Sequence, residues 1–277
     1  MRILVTGSSG RIGRHVVAAL QGAGHQVVGF DRARAPQGRT IIGDHEDLGH
    51  LVQAARGCGA IVHLSAIPSP GGVPDLEVFR TNVLGTYNAH AAAAALGIGT
   101  VVSASSQSAF GWAWGHRNTP PRRLPIDEAE PDEPDDDYGL SKQVGEQIAA
   151  SFHRKTGMRA IVVRPPLVSM PDEDLSWALS RPDWRPCLFS YIDVRDLAEV
   201  FRLAVEREAL RHEVFNVCAD DALAAEPLSV LLPRLDPRFA DVPGLERLTA
   251  GRPMVDNARA KRLLEWTPRH SFRGGPA

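Results

Sequence analysis

Thr6-Gly7-Ser8-Ser9-Gly10-Arg11-Ile12-Gly13 follows the apolar run Ile3–Val5 and opens a helical pattern over Ile12–Ala23. A strand, a glycine-rich turn and a helix in that order form a dinucleotide-phosphate signature. Gly7 permits the tight turn, Gly10 lets the backbone approach a pyrophosphate, and Gly13 lets the helix pack closely on the strand. The open N–H groups and the positive end of the helix then meet the phosphates. A glycine triplet alone marks only a tight turn. Its place at the start of the chain, between strand and helix, gives this one its weight.

Outward from that turn, two periodicities alternate. Short apolar runs read as buried parallel strands: Val27–Phe30, Ala60–Leu64, Thr100–Ser105 and Ala160–Arg164. Helical patterns separate them at Leu48–Ala55, Leu76–Leu96 and Tyr138–Thr156. This repetition predicts an α/β fold, a doubly wound parallel sheet of the Rossmann kind. The proline-rich, acidic stretch His116–Asp137 reads as a solvated loop over the ligand crevice. Residues 1–164 form the expected dinucleotide-binding domain with the catalytic residues. Residues 165–277 are expected to form a small C-terminal substrate lobe, with a strand at Leu188–Ile192 and a helix at 193–206 returning to the core. A strand at Glu213–Val217 and a helix at Asn257–Leu264 complete the reading.

Composition narrows the function class. Hydrophobic residues make up 43% and charged residues 23%, and the net charge is −2, so neither nucleic acid nor an anionic membrane is an expected partner. Cys58, Cys187 and Cys218 are scattered, with neither disulfide nor metal spacing. The first residues read as a strand and not as a signal peptide, and no apolar run reaches spanning length, so a reducing cytoplasm is expected.

Asp31 ends the second strand, 18 residues beyond Gly13. A carboxylate there accepts from the adenosine ribose hydroxyls and repels a 2′-phosphate, which favours NAD over NADP. Arg32 and Arg34 follow and offer a 2′-phosphate the opposite charge. Asp44 is placed to reach the adenine amino group. His45, Glu46, Asp47 and His50 beside it do not make a metal site, because His45 and His50 are five apart and share no helix face. Ser9, Arg11, Ile12 and His45 join the expected cofactor-binding set, and no metal is expected.

Tyr138 and Lys142 are i and i+4 at the start of a helix, so both project from one face. Free tyrosine has a pKa of about 10, and bringing it to about 7 takes roughly 4 kcal/mol. A nearby ammonium and a positive nicotinamide ring can supply that. The phenolate then takes a proton from a substrate hydroxyl while hydride leaves for the ring. Ser103-Ala104-Ser105-Ser106-Gln107-Ser108-Ala109-Phe110-Gly111 ends the fifth strand and sets hydroxyls at the ligand edge, where Ser106 can orient the reacting oxygen.

These residues together resemble the extended short-chain dehydrogenase/reductase family, in its epimerase/dehydratase branch. The resemblance runs from Met1 to Arg207, with a weaker echo to Phe272. It rests also on His63-Leu64-Ser65-Ala66, Thr81–Asn88, Arg164-Pro165 and Tyr191–Asp196. It implies that Leu64, Ser65 and Ala66 line the nucleotide, that Asn82 supports the catalytic lysine, and that Pro165 lies beside the nicotinamide. Ser106 takes the catalytic Ser/Thr place. Sugar-nucleotide dehydratases of the branch carry Asp-Glu directly after that place. Here Gln107 and Ser108 stand there, which argues against dehydration.

The short form resembles uronate dehydrogenases. The resemblance implies an NAD-dependent oxidoreductase acting on a sugar or sugar-acid-like hydroxyl. An epimerase with tightly held NAD uses the same residues, and a non-catalytic dinucleotide sensor is the remote alternative. Ser69, Ser106, Gln107 and Ser108 are the expected substrate contacts. Arg181 and Arg185, in an irregular stretch, are the expected anion anchors. The alanine run Ala91–Ala95 and the family habit of pairing through this helix and the one holding Tyr138 imply a homodimer.

Overall fold

The computed structural model describes residues 1–34, 40–179, 183–249 and 251–273. Strand β1 (Arg2–Thr6) buries every residue after its first. Ile3 and Val5 point to one face of the sheet and Leu4 to the other, the period of two that a doubly covered strand requires. In chain order there follow α1 (Arg11–Gly22), β2 (Gln26–Asp31), β3 (Thr40–Ile42), α2 (Leu48–Ala55), β4 (Ala60–His63), α3 (Asp75–Leu96) and β5 (Thr100–Ala104). Then come α4 (Asp137–Thr156), β6 (Arg159–Arg164), β7 (Leu167–Ser169), α5 (Ser176–Leu179), β8 (Tyr191–Asp193) and α6 (Val194–Glu206). The chain ends on β9 (His212–Asn216), α7 (Leu228–Leu235) and α8 (Ala258–Leu264).

The main sheet has the order β3-β2-β1-β4-β5-β6-β9, with every pair parallel. The order reverses between β1 and β4, and ligands of such sheets bind at the strand C-termini beside that switch. On one face α1, α6 and α8 pack with Val16, Leu20, Leu197, Phe201 and Leu264 into the sheet. On the other, α2, α3 and α4 pack around Phe30, Leu51, Ile61, Val101 and Phe152. This is the doubly wound α/β fold that the alternating pattern predicts. The strand and helix ends fall within two residues of the expectation for the elements up to α4 and β6.

A further apolar cluster gathers residues of the C-terminal third. Trp184, Leu228, Phe239, Leu248 and Met254 pack there against Phe110, Trp112, Leu124 and Ile126. Leu124 and Ile126 belong to the stretch His116–Asp137, so what the sequence marks as a solvated loop is partly buried. Arg117 shows why: its guanidinium lies 4.0 Å over the Trp112 ring and pairs with buried Glu130 at 2.7 Å. These two charges neutralise each other inside, while Arg122, Arg123, Glu133 and Asp135 are exposed. The strand expected at Leu188–Ile192 begins only at Tyr191, because Leu188 and Phe189 are in the left-handed region at φ 50° and 45°. β8 then pairs with β7 in a separate two-stranded sheet.

Candidate active site

Gly7 has φ +69°, and a Cβ there would lie 2.8 Å from the Ser65 nitrogen. A Cβ on Gly13 would lie 2.0 Å from the Gly7 carbonyl oxygen. Both contacts are with backbone, so the turn and the first helical turn are built for glycine alone. Gly10 is the extended N-cap of α1, which has no side-chain cap, and the buried Ser8 hydroxyl has no partner. A helix start left open in this way fits a dinucleotide pyrophosphate. Ile12 packs into the core beneath the turn. Arg11 pairs with Glu173 at 3.0 Å, tying the turn to the segment after β7.

The Asp31 carboxylate accepts from the Ser9 N–H at 2.9 Å and from the Ala33 N–H at 3.2 Å. It stands at the end of β2, where the sequence places it. Arg32 donates to Asp44 at 3.0 Å and to Glu46 at 2.9 Å. His45 is buried against α3, where a Cβ on Gly85 would meet its ring. The side chain of His45 is therefore a packing element. Among the described residues no group of three or more His, Cys, Asp or Glu is arranged to hold a metal. On the neighbouring strand end, the Thr6 hydroxyl accepts from the Leu64 and Ser65 N–H groups, both at 3.2 Å. This fixes Leu64-Ser65-Ala66 beside the glycine turn.

Asp136 caps α4 by accepting from the Gly139 N–H at 2.7 Å, and the helix ends on Gly157 in the left-handed region. The cap sets Tyr138 and Lys142 on the helix face turned to β5, and both are buried. The Lys142 Nζ lies 5.5 Å from the Tyr138 ring centroid and donates to the Ala104 carbonyl at 3.3 Å. The Ser106 hydroxyl donates to the Ser108 hydroxyl at 3.0 Å and stands close enough to the Tyr138 phenol to lower its pKa. The Ser106 oxygen also accepts from the Ser108 N–H at 3.0 Å. The three residues singled out as catalytic thus meet at the C-terminal edge of β5.

Around them, Asn82 bonds both ways with the Ile67 backbone and donates to the Ser141 hydroxyl at 3.1 Å. It braces α4 at Ser141, one residue before Lys142. The carbonyl of buried Pro165 accepts from the Gln107 N–H at 3.1 Å, which sets Pro165 against the Ser106 turn. The Gln107 amide donates to the Cys187 carbonyl at 3.1 Å, while its oxygen is buried without a partner. Ser69 is half-buried in the segment after β4. Arg185 is turned to Asp183, 2.9 Å away, so its fork is already filled. Arg181 lies outside the described residues.

Burial pushes the Tyr138 phenol up to about 12, opposed by the nearby Ser106 hydroxyl. Burial pushes the Lys142 ammonium down to about 8, opposed by the Glu146 charge. The chain alone therefore does not bring the phenol down to the value that proton abstraction needs at neutral pH. The positive charge of an oxidised nicotinamide would supply the missing field at such a site.

Sequence reasoning gave no role to the charges behind Lys142. Arg164 donates to Glu146 at 2.7 and 2.5 Å and to Asp132 at 2.6 Å, and Ser105 donates to Glu146 at 2.6 Å. The i+4 spacing of Lys142 and Glu146 was a usable signal; the reach of Asp132 across to β6 was not. Gly139 was also missed. A Cβ there would lie 2.7 Å from the Ser108 carbonyl, so Gly139 lets the start of α4 close on the serine turn.

Residues 3–175 match the NAD dependent epimerase/dehydratase family, a stretch longer than half the chain. The chain belongs to that family. An L-arabinose 1-dehydrogenase (NAD(P)(+)) of Haloferax volcanii is 32% identical over 168 residues, 59% of this chain and 65% of that enzyme. The chain thus spans just under two thirds of the length of that relative. A uronate dehydrogenase of Pseudomonas syringae pv. tomato is 25% identical over 79% of this chain and 75% of its own. Among solved structures, a short-chain dehydrogenase/reductase superfamily protein from Agrobacterium tumefaciens with bound NAD superposes with a TM-score of 0.73. It is 26% identical and covers 99% of this chain and 94% of that one. These likenesses agree with the epimerase/dehydratase resemblance of the motifs. No described helix is long and apolar enough to cross a membrane.

Proposed function

We propose that this chain is an NAD-linked oxidoreductase that moves a hydride between the nicotinamide and a hydroxyl-bearing carbon of a sugar or sugar acid. The observation that carries the reading is the convergence of buried Ser106, Tyr138 and Lys142 at the end of β5, with the Lys142 Nζ 5.5 Å from the Tyr138 ring centroid. Ser106 holds the substrate oxygen. Tyr138 takes the hydroxyl proton as the C–H bond gives up its electron pair. Lys142 keeps the phenolate stable and reaches the cofactor ribose. When bound, the oxidised nicotinamide ring accepts the hydride. Its holders would be Gly7, Ser9, Gly10, Arg11, Ile12 and Gly13 at the pyrophosphate, with Asp31 at the ribose and Asp44 and His45 at the adenine. Leu64, Ser65, Ala66, Asn82 and Pro165 complete the cofactor wall.

The commitment of Arg32 to Asp44 and Glu46 supports NAD over NADP, because that guanidinium is already neutralised. The buried, unpartnered Gln107 oxygen is an acceptor for a substrate hydroxyl next to the reacting carbon; Ser69 and Ser108 are the further proposed substrate contacts. Arg185 serves a substrate anion only by exchanging Asp183 for it, and Arg181 is the alternative anchor. A homodimer through α3 and α4 is supported by the outward stripe Leu84 and Tyr87 on α3 and Leu140 on α4, each at least 36% exposed. Three buried free thiols suit a cytoplasmic setting.

An epimerase reading shares every residue above. One experiment separates the two. A panel of free sugars, uronates and nucleotide sugars is incubated with NAD, and NADH absorbance and product stereochemistry are both read. Stoichiometric NADH with a free sugar or uronate supports the dehydrogenase. Inverted product without net NADH overturns it in favour of the epimerase.

A further inference from the structure

We propose that Glu146 and Asp132, bridged by Arg164, are positioning residues that hold Lys142 in its charged form. The segment before α4 is then part of the site's electrostatics and not merely its cover. This deepens the oxidoreductase reading and rests on it only for its kinetic consequence.

Four charged groups lie together behind the tyrosine. Lys142, Glu146 and Arg164 are each no more than 8% exposed. Asp132 joins them from the segment before α4, its carboxylate 2.6 Å from the Arg164 guanidinium. Lys142 and Glu146 sit one turn apart on α4. They line a shared cavity of about 10 Å³ with Thr86, Ser103, Ser105 and Ser141. That is room for one water, and the buried Ser103 hydroxyl has no protein partner to turn to instead. Lys142 donates to a neutral carbonyl, that of Ala104, so its countercharge comes through this cavity and not from a direct ion pair.

The count of charges decides the argument. Lys142 and Arg164 carry two positive charges, Glu146 and Asp132 two negative ones. Arg164 draws on both carboxylates, so Glu146 keeps a net negative field for Lys142 only while Asp132 is ionised. If Asp132 loses its charge, Arg164 neutralises Glu146 alone and the buried ammonium has no balance. Burial then favours the neutral amine. Asp132 is itself poised, since burial pushes its carboxyl up to about 6 against the pull of Arg164. The other groups facing this set do not replace it. Arg117 is answered by its own pair with Glu130, and His63 near Lys142 is held neutral by burial. A purely structural role, pinning α4 to β6, would need hydrogen-bond acceptors at 132 and 146 but not their charge.

The chain has three lysines, Lys142, Lys155 and Lys261, so the side-chain NMR signal of Lys142 in ¹³C-lysine-labelled protein is assigned by its loss in Lys142→Met. Its titration is followed in wild type, Asp132→Asn and Glu146→Gln, with circular dichroism as the check on folding. The expected result is a fall in the Lys142 midpoint on the order of one pH unit in Asp132→Asn, a larger fall in Glu146→Gln, and recovery in Asp132→Glu. No oxidoreductase substrate is needed, so this outcome stands apart from the fate of the functional reading. An unchanged midpoint in folded Asp132→Asn overturns the proposal. Asp132 is partly exposed, so that variant remains decisive even if Glu146→Gln does not fold.

Discussion

A Cβ on Gly13 would stand 2.0 Å from the carbonyl oxygen of Gly7. No side-chain rotation relieves that contact, because the partner is backbone. Gly13→Ala must lift α1 away from the turn that is proposed to hold the pyrophosphate. We expect a loss of about 1–3 kcal/mol in stability, the scale of overpacking. We also expect NAD to raise the melting temperature less than in wild type. Equal stabilisation of both proteins by NAD would contradict the assignment of this turn.

Cofactor choice follows from the β2 edge. Arg32 is held by Asp44 and Glu46, which leaves the Asp31 carboxylate as the deciding charge at the proposed ribose site. NAD is expected to bind more tightly than NADP, and Asp31→Ala to narrow the gap. Titration calorimetry with both cofactors checks this. A wild-type protein that binds NADP at least as well would contradict it.

Stability should rise with pH between about 4 and 6.5. Burial pushes His90 down to about 4 and His63 well below its ordinary value. The unfolded chain takes up protons in this window while the folded chain does not, so folding is favoured above pH 6.5 and progressively disfavoured towards pH 4. For His90 alone the span is on the order of 3 kcal/mol. Asp132 acts the other way from about pH 4 to 6, being held protonated in the fold, and it partly offsets the histidines. His90→Asn keeps a donor for the Thr86 carbonyl and removes the titration. Urea denaturation from pH 5 to 7 should give a shallower slope for that variant; an identical slope would sink the explanation.

Assembly is tested on α3. The alanine run that suggested close helix approach is partly spent inside the domain, where Ala92 and Ala93 are fully buried. The outward stripe is Leu84 and Tyr87. Light scattering should find a dimer at micromolar concentration, and Leu84→Asp with Tyr87→Asp should give folded monomer. A dimer that survives both changes lies on another surface.

What the sequence made legible lay within single elements or at their ends. The glycine turn, Asp31, and the one-turn spacing of Tyr138 and Lys142 each carry their geometry locally. Ser106 was readable because a parallel strand's end is also the ligand edge. The rest depended on contacts between distant segments. Nothing near Asp132 announces Arg164, and nothing near Arg117 announces that Trp112 and Glu130 will bury it. The left-handed backbone at Leu188 and Phe189 had no glycine to mark it, so a strand was read through it. Position along the chain also does not announce that the His45 ring packs against Gly85.

The most direct test of the site is the kinetic consequence of removing one oxygen. Tyr138→Phe should leave the fold and NAD affinity nearly unchanged, because the ring remains packed. It should lower turnover of any active substrate on the order of a hundredfold or more, the scale of a lost general base. Wild-type turnover in the oxidation direction should rise with pH through one ionisation below that of free tyrosine, once oxidised NAD has offset the upward push of burial. The variant should lack that ionisation. A Tyr138→Phe protein that turns over at the wild-type rate, with the wild-type pH profile, would contradict the mechanism.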